Sequence, residues 1–169
     1  VGPSRPPSEA GSLLIRVTKN CPWNRCEFCS TFKGKRFQLR TVEEVKGDIL
    51  AFKEWVDGIQ KLAEQSGYRV EDVARFNGIL WLENDGVRSV FLQDANSIIM
   101  KTEQLVEIIG FLYETFLTLE RVCSYARAKT LVRAKPEELS ELREAGLSRL
   151  HVGLETGDDD LLAYIQKGA

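Results

Sequence analysis

Ser12-Leu-Leu-Ile-Arg-Val-Thr18 leads, through Lys19 and Asn20, into Cys21-Pro-Trp-Asn-Arg-Cys26-Glu-Phe-Cys29. The first part mixes aliphatic and β-branched side chains over a length that suits a short, largely buried strand. The second part places three of the chain's four cysteines within nine residues, in a loop leaving that strand's carboxyl end, while Cys123 stands alone far downstream. A disulfide framework spreads an even set of cysteines through a small secreted domain short of core. Here 169 residues with 43% hydrophobic side chains supply a sizeable core, and the start shows no secretion signal. Clustered thiols in this setting point to metal binding.

Helices and strands alternate outward from this loop. Thr41 and Glu44 form a capping box, and Val42, Val45, Ile49, Phe52, Val56 and Ile59 recur at helical spacing, so a long helix follows, weakened by Gly47 and Gly58. A mixed pattern predicts a second helix from Val70 to Leu82, ahead of the turn Asn84-Asp85-Gly86. Strands are expected at Val87 to Gln93, Arg121 to Tyr125 and Arg149 to Leu154, with a helix over roughly Thr102 to Phe116. Another helix is punctuated by Pro136 near its first turn and Gly146 past its end. Asp158 caps a last helix over Leu161 to Lys167, which Gly168 ends; the Asp158-Asp159-Asp160 run reads as a helix start rather than a metal cluster.

This alternation implies an α/β fold with a parallel sheet, whose ligands bind beyond the strands' carboxyl ends. The cysteine loop, Gln93-Asp94, Ser124 and Glu155 all fall at such ends, and right-handed crossovers bring them to one rim. Four strands cannot close an eight-stranded barrel, so the expectation is an open, partial barrel, or one truncated in this chain. Residues 1–11, with Pro3, Pro6 and Pro7, read as a flexible leader, and 12–169 as one core domain. Met100 is the only methionine, which suggests a segment of a longer protein.

Charge narrows the partners. With 23 basic against 25 acidic side chains, the surface is not built mainly to neutralise nucleic acid or anionic lipid. No apolar run approaches a membrane span, and a cytoplasmic location is expected. Lys33, Lys35, Arg36 and Arg40, interrupted by Phe32 and Phe37, form a basic stretch that could attract RNA or an anionic substrate; a solvated loop is the plainer reading.

Three thiolates in one tight loop can ligate three irons of a four-iron cluster and leave the fourth without a protein ligand. At these residues the chain resembles the radical S-adenosylmethionine (radical SAM) superfamily, from about Leu13 to Gly168. Within it, the likeness is to the Elongator-like, methylthiotransferase-like and oxygen-independent coproporphyrinogen-oxidase-like branch. That branch carries C-x3-C-x-aromatic-C; here four residues separate Cys21 from Cys26, while Phe28 and Cys29 match the second half. One extra loop residue costs little closure entropy.

The resemblance implies a [4Fe-4S] cluster on Cys21, Cys26 and Cys29, with SAM chelating the open iron and Phe28 packing near adenine. Gln93 and Asp94 stand where the family has Gly-Gly-Glu, which receives the SAM amine. His151-Val-Gly-Leu-Glu155-Thr-Gly157 resembles Gly-φ-Glu-Ser-Gly, with φ apolar, making Glu155 the ribose residue. Ser124-Tyr125-Ala126-Arg127 supplies two further cofactor contacts, Ser124 and Arg127, the latter placed to pair with the SAM carboxylate. The implied activity is reductive cleavage of SAM to methionine and a 5'-deoxyadenosyl radical that abstracts hydrogen from a substrate the chain does not reveal. An electron donor such as flavodoxin or ferredoxin is the implied partner.

The alternative is a non-catalytic zinc or iron-sulfur module, in which Cys123 or His151 completes a zinc site. Against it, only one C-x-x-C pair is present. Cys123 is expected as a buried strand residue, His151 as a core or rim histidine, and Trp23 as a shield for the cluster or a cap on the core.

Overall fold

The computed structural model describes residues 5–168. A 3-10 turn at Pro7–Glu9 precedes β1 (Leu13–Arg16), β2 (Thr18–Lys19) and β3 (Gln38–Leu39), and α1 (Val42–Ser66) and α2 (Val70–Phe76) follow. β4 (Ser89–Gln93) and a 3-10 turn at Ser97–Ile99 lead to α3 (Thr102–Thr115), β5 (Arg121–Ala126) and α4 (Ala128–Leu131). α5 (Pro136–Glu144), β6 (Leu147–Val152) and α6 (Asp159–Tyr164) complete the order. The main sheet runs β1-β4-β5-β6 with every neighbouring pair parallel, the α/β architecture expected of a partial barrel. Among the described residues no helix is long and apolar enough to cross a membrane.

Two-residue periodicity divides the sheet's faces. Leu13, Ile15, Val90, Leu92 and Val122 enter one core cluster with Val45 and Ile49 of α1, and with Leu105, Ile108 and Leu112 of α3. The intervening positions hold Arg16, Phe91, Gln93, Tyr125 and His151. The Phe91 and Tyr125 rings meet edge to face 5.1 Å apart, and Tyr125 meets His151 at 6.1 Å. A register shift between Val122 and Cys123 lets β6 accommodate Ser148, so that Arg149 pairs with Cys123 and His151 with Tyr125.

Thr41 caps α1 through the expected reciprocal bonds with Glu44. α2 is shorter than its apolar pattern predicts. Asn77 turns its side-chain amide back to the Val73 carbonyl at 2.8 Å, and Gly78 follows at φ 74, a left-handed stop after which Leu80 lies exposed. At the other end of the chain, Asp158 accepts the Leu161 amide at 2.8 Å and caps α6 as expected.

The expected flexible leader, 1–11, is described from Arg5 onward; Val1 to Ser4, with Pro3, and Ala169 at the far end lie outside the described residues. The described part departs from that expectation. Pro7 opens the 3-10 turn, and Glu9 is fully buried against the sheet. The Ser12 hydroxyl donates to Glu9 Oε2 at 2.7 Å and shares a 2.9 Å bond with Ser89. Arg121 Nη2 lies 3.3 Å from Oε2, with Arg149 Nη1 at 3.6 Å and His151 Nε2 at 3.5 Å from Oε1. A buried carboxylate needs such partners to remain charged.

Burial alone would raise the Glu9 pKa, but the Ser12 hydroxyl, then Arg121 and His151, outweigh it and hold the carboxyl below its ordinary value. The stabilisation from a depressed carboxylate is present above the unfolded pKa of 4.5 and is lost as pH falls through the lower folded value. Glu9→Gln should therefore cost about 2 kcal/mol at pH 7, measured by urea unfolding, and the difference from the parent should shrink on acidification below pH 4.5. A gap that stays constant from pH 7 to pH 3 would contradict this account.

Candidate functional site

Because the four main strands are parallel, their carboxyl ends share one edge. The cysteine loop leaves β1 and β2 there, Asp94 follows β4, Arg127 follows β5, and Glu155 lies beyond β6. The sequence expectation that these residues occupy one rim matches the architecture.

The start of the cysteine loop is pinned to β4. Asp94 is 1% exposed, and its Oδ2 accepts the Asn20 amide at 2.6 Å. Asn20 sits at φ 68, a left-handed conformation asparagine tolerates, and its side-chain amide donates to the Arg36 carbonyl at 2.8 Å. Asp94 Oδ1 is buried and accepts no hydrogen bond from the described residues, with Arg16 Nε 3.4 Å away. Gln93 is 8% exposed, and its carbonyl takes the Val17 amide at 3.2 Å.

Residues 165–168, just past α6, strap the other side of the loop. The Glu27 amide donates to the Ile165 carbonyl at 2.9 Å, and Gln166 Nε2 returns a bond to Glu27 Oε1 at 2.8 Å. Trp23 Nε1 donates to the Gln166 carbonyl at 2.7 Å. Arg127 Nη2 reaches the carbonyls of Lys167 and Gly168 at 2.9 and 3.1 Å, while its guanidinium stacks 5.0 Å from the Trp23 ring centre. Arg25 and Lys129 add positive charge at 5.1 and 5.9 Å from the same ring. Lys167 Nζ lies 2.5 Å from Glu155 Oε1 and 5.7 Å from the centre of the Phe28 ring, which is 54% exposed.

Cys21, Cys26 and Cys29 are free and partly exposed. Burial raises the Cys26 thiol above its ordinary pKa; Lys167 and Arg127 pull it back, whereas Cys21 and Cys29 push it further up. The thiols thus lie close enough to feel one another, with two cations beside them. Cys123 is buried in β5 beside Ser148, and His151 meets Glu9 and Tyr125, so neither lies with the cysteine loop. The loop's three thiols and the neighbouring cations Lys167 and Arg127 fit a donor set for an iron-sulfur cluster.

Several expected contacts fall elsewhere. Ser124 is fully buried on the helix-packed side of β5, its hydroxyl donating to the Leu92 carbonyl at 3.0 Å, so strand periodicity turns it away from the cysteine loop's side of the sheet. Arg127 gives its Nη2 to the strap, to the carbonyls of Lys167 and Gly168. Cys123 is buried and His151 is occupied with Tyr125 and Glu9, as the plainer readings expect. Trp23 is a platform for the Arg25 and Arg127 guanidiniums and lies outside the core cluster. Lys167, Gln166 and Glu27 were missed because Gly168 signals only the end of a helix. Nothing local announces that residues 165 and 166 bond across to Trp23 and Glu27 of the cysteine loop.

A parallel α/β sheet with a three-thiol loop and an acidic and cationic pair at its carboxyl rim defines a class of cofactor-dependent rim-site proteins. The sequence model of the Radical SAM superfamily matches residues 15–169, and the chain belongs to that superfamily. No curated protein matches the chain. Membership places it among iron-sulfur enzymes that cleave SAM.

Gly168 makes the strap possible. It stands at φ 64, and a Cβ there would come within 2.3 Å of Trp23 Cζ2. Left-handed backbone alone costs an L residue about 1–2 kcal/mol. Gly168→Ala should lift the strap and speed hydrogen exchange at the Glu27 amide by about tenfold, while amides of the core strand β4 keep their protection. Unchanged exchange at Glu27 would remove the strap from the account.

Proposed function

We propose that this chain is a radical SAM enzyme core of the Elongator-like, methylthiotransferase-like and coproporphyrinogen-oxidase-like branch, with Cys21, Cys26 and Cys29 each ligating one iron of a [4Fe-4S] cluster. The observation that carries the reading is the three-thiol loop at the carboxyl rim of a parallel sheet, tied down by Asp94 on one side and by residues 165–168 on the other. Gly153-Leu-Glu155-Thr-Gly157 supports the branch.

When bound, the reduced cluster supplies the electron that cleaves SAM. The chain's residues have separate tasks around it. Phe28, half exposed beside the loop, offers an apolar face to adenine. Glu155 is assigned to the ribose hydroxyls, since a carboxylate accepts two such bonds. The SAM amine is assigned to the Gln93–Asp94 end of β4, where the Asp94 carboxylate holds the Asn20 amide at the start of the cysteine loop and lies 3.4 Å from Arg16 Nε. Trp23 under Arg127 and Arg25 covers the loop's solvent side and limits water. Arg25, Lys33, Lys35 and Arg36 are exposed next to the loop, which favours approach of an acidic electron donor such as flavodoxin or ferredoxin.

Anaerobic reconstitution followed by EPR of the reduced protein tests the reading. A four-iron signal that shifts on adding SAM is expected, and serine at Cys21, Cys26 or Cys29 should abolish it. Cys123→Ser should leave it intact. Stoichiometric zinc with no cluster signal overturns the proposal.

A further inference from the structure

The strap carries more than backbone bonds. Lys167 is the one side chain in it that reaches both the residue assigned to ribose and the aromatic of the cysteine loop, through the 2.5 Å contact with Glu155 and the approach to Phe28. The lysine is held from several sides. Its amide donates to the Leu162 carbonyl at 3.1 Å, its carbonyl accepts from Arg127, and its side chain is only 16% exposed. Gly153 leaves room for the pair: a Cβ there would lie 2.5 Å from Glu155 Oε1 and 3.0 Å from Lys167 Nζ. Glu155 itself sits at φ 64, so its backbone adopts a conformation rare for its type, and the ion pair forms across that turn.

We propose that Lys167 is a positioning residue joining the two halves of the rim: its ammonium fixes the Glu155 carboxylate for a ribose diol and places positive charge beside the cysteine loop, so that one side chain sets both SAM affinity and the ease of cluster reduction. This rests on the radical SAM reading above. Lys167 takes Oε1 of Glu155, leaving Oε2 to accept from a hydroxyl, and it restricts the rotamers of an otherwise half-exposed side chain before the ligand arrives. Three thiolates and a cluster gain one negative charge on reduction, and a nearby cation favours the more negative state. Arg127 shares this charge but is fixed by the strap carbonyls and Trp23, whereas Lys167 has its charge aimed between Glu155 and the loop.

The test compares Lys167→Met, Lys167→Arg and Glu155→Gln with the parent, each as reconstituted full chain. Iron and sulfide content, the midpoint potential from an EPR-monitored titration, and the SAM dissociation constant from the EPR shift are read for each. Lys167→Met should bind SAM about tenfold more weakly and hold about tenfold less reduced cluster at a fixed donor potential, a shift of about 59 mV to more negative values for one electron. Lys167→Arg should restore most of both. Glu155→Gln should weaken SAM binding without moving the potential down. A merely structural lysine would change thermal stability and leave potential and affinity at parent values, and that result in a cluster-bearing Lys167→Met overturns the inference. If Lys167→Met takes up less iron, Glu155→Gln decides, and parent-like SAM affinity in it removes the pairing role. A parent chain that binds no four-iron cluster sinks the radical SAM reading itself, a result distinct from a parent that binds cluster and SAM while its Lys167 variants match it.

Discussion

Parallel pairing of β1 with β4, β4 with β5 and β5 with β6 obliges each of these strands to finish at the same edge of the sheet. Everything chemical in the chain depends on that constraint. Residues separated by as much as the interval from Cys21 to Lys167 become neighbours only because four strands, each buried by helices on one face, deliver their following loops to one place. The apolar core contributes no chemistry, yet Leu13, Ile15, Val90 and Leu92 set the register that brings Arg16 opposite Gln93, and from there Asp94 to the start of the cysteine loop.

Charge is handled in opposite ways at different parts of the inner sheet face. Near the starts of β1 and β5, one buried carboxylate, Glu9, is surrounded by Arg121, Arg149 and His151. At the rim the potential anions are the three loop thiols, and the cations Lys167 and Arg127 come to them from α6's trailing segment and from the end of β5. Both arrangements follow from one cost: an anion removed from water must find positive charge or hydrogen-bond donors close by. The first arrangement anchors the N-terminal segment to the sheet. The second brings two cations beside a half-buried thiol that burial otherwise pushes up in pKa.

Local signals made much of the fold legible. The capping box at Thr41, the period of α1 and α3, Pro136 at the start of α5 and Asp158 at the start of α6 all act over three or four residues, so a reading of adjacent positions recovers them. The overlong α2 shows the limit, since Leu80 looked periodic but Asn77 and Gly78 had already ended the helix. The cysteine loop was legible because its spacing is itself the chemistry. Glu9 was not: nothing near Pro7 tells that its carboxylate meets Arg121, more than a hundred residues away, and the prolines suggested a loose leader instead. Ser124 and Arg127 were correctly placed at a strand end but assigned by position alone. Which face Ser124 occupies and which carbonyls Arg127 meets depend on tertiary packing.

The same distinction explains why the strap matters to mechanism. A nine-residue loop with partly exposed thiols has little core of its own to fix it. Asp94 constrains only its beginning, at Asn20. Between Cys21 and Cys29, Asn24 bonds to the Lys35 carbonyl and Lys33 to the Arg25 carbonyl, and Trp23 and Glu27 bond across the chain to residues 165 and 166. Those carbonyls and amides are presented by a turn that reaches the loop only if α6 starts at Asp158 and ends before Gln166, whose φ of 51 redirects the chain. Loop order at one end of the sequence is therefore set by helix length at the other, and the residue assigned to ribose, Glu155, stands on the path between β6 and that helix. The cysteine loop and Glu155 are thus joined through one turn, by the bonds of residues 165 and 166 to Glu27 and Trp23 and by the Lys167–Glu155 ion pair.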